Sequence, residues 1–322
     1  MSEAPATDAL RPAEYREYRA AAQAILDRQH GSKAIEAFGL DELLADPTAR
    51  DLTPAYAFLE AQGRCGAVTP ALAMIGLAGH TPTDFPVLLG LPFGPPQTIA
   101  VPGWSAAAAV VTDVMDTGLV LLAKDTPIVR RPSAADGDAY LALLHHDSAT
   151  ASTVLTEQEM AALRPAILAR TQLGAAAEIL GTADRLLDDA VSYVRGRSQF
   201  DRSVGSFQSM QHLLAWAATD RHQLACLLDL AIDSAAAGSV NADLSEAVKA
   251  LAGRVLHAVA QAAMQATGAI SFTWEYSLNQ LHRRGLALDQ YAGASADLVA
   301  AIGRRVRTEG TVSDLFALAD VV

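Results

Sequence analysis

The stretch from Tyr193 to His212, Y-V-R-G-R-S-Q-F-D-R-S-V-G-S-F-Q-S-M-Q-H, joins two long helical patterns in the second half of this sequence. Before it, apolar residues recur at helical spacing from Ile167 to Val194, and after it they recur from Phe207 to Ala235. The stretch is therefore predicted to be a helix–turn–helix connection, and the fold is built outward from the two helices that it joins.

Two more amphipathic patterns follow, from Ser245 to about Ala266 and again after Ser277. Four long helices with short links describe a helical bundle, so residues 153–322 are predicted to form a C-terminal four-helix bundle. At its start, Thr156 and Glu159 have the S/T-x-x-E spacing of a capping box, which marks a helix N-terminus.

Prolines mark the boundaries of other predicted elements. One short helix of the N-terminal helical region, 1–80, is predicted from Pro54 to Gln62, with Gly63 ending it. The six prolines between Thr81 and Pro102 exclude a long helix and predict a boundary or an irregular loop. Pro165 predicts that the first bundle helix begins near that residue.

Before the bundle lies a region whose apolar residues do not recur at helical spacing. Short apolar runs at Val110–Val114, Leu119–Leu122 and Ile128–Val129 are separated by turn residues, which is typical of strands. Residues 81–152 are therefore predicted to hold a proline-rich linker and a reduced β segment. The whole chain is expected to be mainly α.

The composition excludes several classes of protein. Among the 322 residues, 51% are hydrophobic and the net charge is −12, whereas nucleic-acid binding requires a basic surface. The sequence has no signal-peptide pattern and no apolar run of about 18 residues, so we expect a cytoplasmic protein with no membrane or nucleic-acid partner. Cys65 and Cys226 are expected to be free thiols, and no metal site is predicted. Phosphate-loop, dinucleotide-binding, nucleophile-elbow and H-E-x-x-H motifs are absent.

The opening stretch resembles the acyl-CoA dehydrogenase signature Y-x-x-x-R-x-Q-F-G-x-x-I-x-x-F-Q-x-x-Q-H, with eight spaced identities. Gln265 to Glu275, Q-A-T-G-A-I-S-F-T-W-E, is similar to the family's Q-x-x-G-G-x-G-[FY]-T-x-E after the third long helix. A weaker similarity links Gly63–Pro70 to the family's G-R-x-x-x-x-x-P element. The resemblance covers roughly the last 170 residues well, and it implies an acyl-CoA dehydrogenase-like fold with a truncated middle β segment.

This resemblance implies FAD as the cofactor. In the family, the arginine of the first motif and its neighbours contact the pyrophosphate and adenosine end of FAD, and an arginine fork is well shaped to hold a pyrophosphate. By resemblance the FAD-contacting residues are Arg197, Gln199, Phe200, Gln208, Gln265 and Gly268. The alternative is that Arg197 caps or pairs within a bundle turn and that Phe200 is part of the core.

The resemblance breaks at the catalytic base. The family dehydrogenates an acyl-CoA thioester: a carboxylate removes the α proton while the flavin accepts the β hydride. The family's I-Y-E-G-T element falls on Gln290–Ala294, where the glutamate is replaced by Ala292, and a second known position falls near Thr171. Glu178 is interpreted as structural. Glu275 remains as the candidate base, with capping of the next helix as its alternative role.

The FAD-contacting motifs are present and the usual catalytic glutamate is absent, and three hypotheses follow. The first is a degenerate subunit of a heteromeric flavoprotein, an oxidoreductase acting on CH–CH bonds of steroid or other bulky acyl-CoA substrates in lipid catabolism. It would lend its FAD contacts to a base-bearing partner. The second is a competent homo-oligomer that uses Glu275. The third is a non-enzymatic helical interaction module derived from the family.

Overall fold

The computed structural model describes residues 11–46, 51–80, 87–93, 97–104, 109–114, 117–122, 141–145, 152–237 and 240–309. The chain is mainly helical, as predicted, with N-terminal helices, a small sheet and C-terminal helices. The described helices are α1 (Ala13–Leu26), α2 (Ser32–Phe38), α3 (Leu40–Ala45), α4 (Thr53–Cys65), α5 (Ala71–Ile75), α6 (Glu157–Gly196), α7 (Gln208–Ala236), α8 (Ala242–Thr267), α9 (Ser277–Gln290) and α10 (Ser295–Glu309).

The N-terminal helices pack on α6 through a crossing of two glycines. A Cβ at Gly63 would lie 2.0 Å from the Glu178 carbonyl oxygen, and a Cβ at Gly181 would lie 1.8 Å from the Glu60 carbonyl oxygen. The backbones of α4 and α6 therefore touch. The prediction that Gly63 ends its helix is wrong, because this glycine serves helix packing and α4 continues to a left-handed cap at Gly66, with φ 66°.

The strands are β1 (Val87–Pro92), β2 (Thr98–Pro102), β3 (Ala109–Val114), β4 (Gly118–Leu121), β5 (Leu141–His145), β6 (Ser152–Thr156), β7 (Ser198–Gln199) and β8 (Arg202–Ser203). The first six form one sheet in the order β5-β2-β1-β3-β4-β6. Strand β1 pairs parallel with β3, and the remaining pairs of this sheet are antiparallel.

The proline-rich segment contributes two of these strands, so the prediction of a boundary or an irregular loop is wrong for β1 and β2. Each strand ends on a proline, Pro92 or Pro102, and this position leaves the hydrogen-bond ladder inside the strand intact. The predicted strands near Val110 and Leu119 are present as β3 and β4. The predicted strand at Ile128–Val129 lies outside the described residues.

Helix α6 begins directly after Thr156. The predicted capping box is present, because the Thr156 N–H donates to the Glu159 carboxylate (2.8 Å) and the Glu159 N–H donates to the Thr156 hydroxyl (3.4 Å). Pro165 lies inside the helix, so the prediction that the helix begins near it is wrong. A proline there costs about 3 kcal/mol, and burial of Met160 and Ile167 against the sheet offsets this cost.

Helix α6 is the central element of the bundle and packs against α4, α7, α8 and α9. The last predicted helix is divided in two, because a turn at Tyr291–Ala294 separates α9 from α10. Ala292 and Gly293 in this turn have φ values of 60° and 108°, which end the helical path.

Within the described ranges, no helix combines the length and the apolar character that crossing a membrane requires. Cys65 and Cys226 are free thiols, as predicted.

Candidate functional site

Both sequence motifs lie at one end of the helical bundle. Helices α6, α7 and α8 pack consecutively through short connections, so α6 ends where α7 begins and where α8 ends. The ring centroids of Tyr193 on α6 and Tyr276 before α9 are 6.1 Å apart, which joins the two motifs directly. We call residues 197–208 and 265–276 the signature end of the bundle.

Arg197 is positioned by the last turn of α6. Its N–H donates to the Tyr193 carbonyl oxygen (3.0 Å), and its carbonyl oxygen accepts from the Val204 N–H (2.8 Å). The guanidinium is exposed and has no hydrogen-bond or ion-pair partner among the described residues. The side chain therefore neither caps nor pairs within the turn, and its donors are available to an anion.

A short hairpin after Arg197 displays Phe200. Strands β7 and β8 pair Ser198 with Ser203, and the two residues between the strands, Phe200 and Asp201, have φ values of 55° and 60°. Positive φ at both central positions is characteristic of a type I′ hairpin turn, and it is unusual for a bulky side chain. Phe200 is 85% exposed, so the alternative that it belongs to the core is wrong.

The glutamines and the glycine of the predicted FAD contacts are also exposed. Gln199 donates only to the neighbouring Ser198 carbonyl oxygen, whereas the Gln208 and Gln265 side chains have no partner in the described part of the chain. Gly268 has φ 70°, and a Cβ placed on it would meet no atom within 4 Å. The backbone at this position is open to close approach by a ligand.

Large apolar side chains cover the same end of the molecule. Phe272 is 67% exposed and Trp274 is 57% exposed, in addition to Phe200. The Arg283 guanidinium lies 4.2 Å from the Trp274 ring centroid, and the Arg202 guanidinium lies 3.8 Å from the Phe207 ring. Exposed aromatic residues beside free arginine and amide groups are typical of an interaction surface.

Glu275 lies on this surface and not in a closed cleft. It is exposed and has no partner among the described residues. Helix α9 has Tyr276 as its N-cap without a side-chain capping bond, so the alternative that Glu275 caps this helix is wrong. The neighbouring Ser277 hydroxyl instead donates to Asp189 (2.9 Å) and ties α9 to α6.

The two family positions for the base hold no carboxylate. Ala292 is 8% exposed and lies in the turn between α9 and α10. Thr171 is buried in α6, and its hydroxyl donates to the Ile167 carbonyl oxygen of the same helix (2.8 Å). Glu178, in the next turns of α6, is buried and accepts from Arg284, which matches its interpretation as structural.

Buried charges between the helices are the main feature that the sequence patterns miss. Glu60 is fully buried, and Tyr15 donates to its carboxylate (2.8 Å), as does Arg19 (2.7 Å). Burial alone would raise the pKa of Glu60, but Arg11 and Arg19 outweigh it and hold the pKa at about 2. No local sequence pattern predicts this cluster, because its members come from α1, from α4 and from Arg11, two residues before α1. No described group of three His, Cys, Asp or Glu residues could hold a metal ion.

Comparison with known proteins finds sequence similarity over part of the chain. The family profile for the acyl-CoA dehydrogenase C-terminal domain matches residues 163–307. The chain is 33% identical over 150 residues to the acyl-CoA dehydrogenase FadE34 of Mycobacterium tuberculosis, covering 45% of this chain and 20% of that protein. It is 32% identical over 117 residues to the acyl-CoA dehydrogenase IpdE2 of the same organism, covering 34% of this chain and 33% of that protein.

The fold extends the match beyond the C-terminal helices. The Tcur3481-Tcur3483 steroid ACAD has a TM-score of 0.73 at 18% identity, over 92% of this chain and 98% of that chain. The ChsE4-ChsE5 complex of M. tuberculosis has a TM-score of 0.66 at 18% identity, over 92% and 98%. Residues 163–307, slightly less than half of the chain, match the C-terminal domain of acyl-CoA dehydrogenases, a family of oxidoreductases, and the fold of the chain is that of this family. Its sequence matches cover only about a fifth to a third of the length of these two curated relatives.

Proposed function

We propose that this chain is a subunit of a flavin-dependent acyl-CoA dehydrogenase and that it lends FAD-binding residues to a base-bearing partner. One observation carries the proposal: the predicted FAD contacts gather, exposed, at the signature end, while Ala292 occupies the position of the family's base. The same proposal assigns these contacts to the C-terminal region 153–322, beside an N-terminal helical region (1–80) and a reduced middle region (81–152).

The residues of the signature end fit the pyrophosphate end of FAD. The free Arg197 guanidinium supplies a planar fork of donors for phosphate oxygens. Gln208 and Gln265 add uncharged donors, and Gly268 leaves its backbone accessible. The Phe200 ring, which lies edge-to-face with Phe207 at 6.4 Å, offers an apolar surface. Bound FAD would supply hydride acceptance, whereas the residues of this chain would bind and orient it.

The reaction requires a base that removes the α proton of the acyl-CoA. At the two positions where the family carries this base, this chain has no carboxylate. Alanine has no titratable group, and the Thr171 hydroxyl is engaged within its own helix. A partner subunit that carries a carboxylate there would complete the reaction on an acyl-CoA substrate. Two of the similar structures are paired assemblies by name, Tcur3481-Tcur3483 and ChsE4-ChsE5, and the first is called a steroid ACAD. A bulky acyl-CoA is therefore the proposed substrate class.

The visible absorption spectrum tests this proposal. The chain is purified alone and after co-expression with a base-bearing acyl-CoA dehydrogenase subunit. We expect a flavin peak only with the partner, and we expect Arg197→Ala to reduce bound flavin about tenfold or more, because a bond to a charged group contributes about 1.5–3 kcal/mol. The matched control is Arg195→Ala, which removes another exposed guanidinium two positions away.

The other results separate the alternatives. A flavin peak from the chain alone would favour the homo-oligomer. Glu275→Gln should then abolish turnover, since Glu275 is exposed and unpaired within the described ranges, whereas unchanged turnover would remove it as the base. No flavin in either preparation would favour the non-enzymatic interaction module. Equal flavin content in Arg197→Ala and Arg195→Ala would contradict the role of Arg197.

A further inference from the structure

A fully buried lysine holds the turn between α9 and α10. Lys249, on α8, is 0% exposed, and its ammonium donates to the Asp289 carbonyl oxygen (2.8 Å) and to the Gly293 carbonyl oxygen (2.9 Å). These carbonyl groups lie at the two ends of a five-residue segment, so one side chain fixes both ends. The ammonium also lies 3.8 Å from the Asp289 carboxylate.

The next turn of α8 is shaped around the same segment. A Cβ at Gly253 would lie 1.8 Å from a carboxylate oxygen of Asp289 and 2.6 Å from the Ser295 Cβ. The space left by this glycine is therefore occupied by Asp289, whose carboxylate accepts from the Ser295 N–H (3.3 Å) and hydroxyl (3.2 Å). One turn further, His257 Nε2 lies 3.5 Å from the other oxygen of the Asp289 carboxylate.

Contacts from the opposite side complete the enclosure. The Gln172 side chain, on α6, donates to the Ala292 carbonyl oxygen (3.2 Å), and the Tyr291 hydroxyl donates to the Leu89 carbonyl oxygen of β1 (3.3 Å). Three elements, α8, α6 and β1, thus converge on the turn. Ala292 is held buried with φ 60°, a conformation that costs energy for a residue with a side chain.

We propose that Lys249 is the positioning residue of position 292: with Gly253 and His257 it forms a face of α8 that holds residues 289–295 and keeps position 292 buried and left-handed. We call Lys249, Gly253 and His257 the α8 cradle. Lys249 acts on the turn through main-chain carbonyl groups, and Gly253 and His257 act on it through the Asp289 carboxylate. None of these contacts involves the side chain at position 292. The inference requires no flavin and stands apart from the proposed function.

A single-cysteine reporter reads position 292 directly. Ala292→Cys is introduced into a background of Cys65→Ser and Cys226→Ser, and the thiol is titrated with a chromogenic disulfide reagent. In the presence of Lys249 the reaction should be slow. Lys249→Met should accelerate it at least about tenfold, since each lost bond to a charged donor changes an equilibrium by about this factor or more. Lys33→Met, at an exposed lysine, is the matched control.

Hydrogen exchange in the otherwise unaltered chain supplies the second readout. Lys249→Met should increase exchange of residues 290–295 and leave the middle of α6 protected. Gly253→Ala should do the same with Lys249 intact, because its Cβ displaces Asp289 while alanine favours the helix itself. This variant decides the question if Lys249→Met fails to fold. Unchanged labelling and exchange in both variants would overturn the proposal.

A pH profile distinguishes positioning from simple packing. Asp289 is the charged group facing Lys249, with His257 beyond it, while Tyr291 faces Glu178 on the other side of the turn. Burial lowers the pKa of Lys249 to about 8, against a smaller opposing effect of Asp289. An opened turn would restore the ordinary pKa of 10.5, so opening should become less favourable from pH 8 to pH 10. Lys249→Met should lack this dependence, and its persistence in that variant would overturn the assignment.

Discussion

Phe200 and Asp201, at the signature end, lie in a strained backbone turn that holds the Phe200 side chain exposed. Both have left-handed φ values, where the family signature has a glycine in place of Asp201. Aspartate tolerates this region better than phenylalanine does, although less well than glycine. The hairpin therefore holds Phe200 outward at some cost in stability, which is a common feature of functional surfaces.

Asp201→Gly should stabilise the chain by about 0.5–1 kcal/mol, because glycine adopts positive φ without a steric cost. The measurement is the free energy of unfolding in urea. Asp297→Gly is the matched control, since Asp297 is exposed in the first turn of α10, where glycine should destabilise by about 1 kcal/mol. Loss of stability in Asp201→Gly would contradict the left-handed conformation.

The ionisation of Glu60 makes the stability of the folded chain depend on pH in the acid range. Its pKa is lowered to about 2 in the folded chain, from an ordinary value of 4.5. The ionised form is thus favoured by folding, so its contribution is complete above pH 4.5 and is lost as the pH falls towards 2. Glu60→Gln should cost on the order of 3 kcal/mol at pH 7, because Arg11 and Arg19 would both lose the buried carboxylate with which they pair.

Unfolding in urea at pH 7, 5, 4 and 3 measures this effect. The wild-type chain should lose stability more steeply than Glu60→Gln between pH 5 and pH 3. Glu42→Gln, at an exposed position, is the control and should follow the wild type. Parallel pH profiles for wild type and Glu60→Gln would show that the buried cluster does not depend on the Glu60 charge.

At the scale of elements, the crossing of α4 and α6 depends on its two glycines. Gly63→Ala or Gly181→Ala places a Cβ about 2 Å from a carbonyl oxygen of the facing helix, so the helices must separate. Overpacking of this kind typically costs about 1–3 kcal/mol, and backbone contact leaves little room for relief. Unfolding in urea should show a loss of at least about 2 kcal/mol for either variant.

Gly196→Ala is the matched control for this crossing. Gly196 is also a residue of α6, but a Cβ there meets no atom within 4 Å. The change should be neutral or slightly stabilising, because alanine has the higher helix propensity. Equal effects at all three glycines would indicate loss of backbone freedom, not helix contact, as the cause.

At the scale of the whole molecule, the exposed aromatic residues predict where a partner binds. Phe272→Ser with Trp274→Ser should weaken association with the proposed base-bearing subunit at least tenfold, because aromatic anchors carry much of the binding energy of an interface. The melting temperature of the isolated chain should hardly change, since both side chains are more than half exposed.

The control for this surface lies at the other end of the bundle. Val306→Ser changes an exposed valine of α10 close to Arg305, which pairs with Glu246 near the start of α8. Association is measured by titration calorimetry or by co-purification. A control that weakens association as much as the double variant would place the interface elsewhere on the molecule.

Local pattern accounts for much of the fold. The bundle was predicted from the capping box of Thr156 and Glu159 and from the long helical periods after it. Both signals are local, because capping and amphipathicity depend on residues within a few positions of each other. The predictions that rested on prolines were wrong for strands and for a helix. Pro92 closes a strand and Pro165 lies within a helix, since burial of neighbouring residues outweighs the local preference of proline.

The sequence by itself predicted the helical bundle and the resemblance to the acyl-CoA dehydrogenase family, because these rest on local spacing and on motif residues. The FAD contacts that it names stay a prediction. Only the tertiary structure decided that the Arg197 and Phe200 side chains are displayed, that Gly63 packs a helix crossing, and that Lys249 holds the turn at Ala292. Each of these depends on contacts between residues distant in sequence, whose free energies no local pattern records.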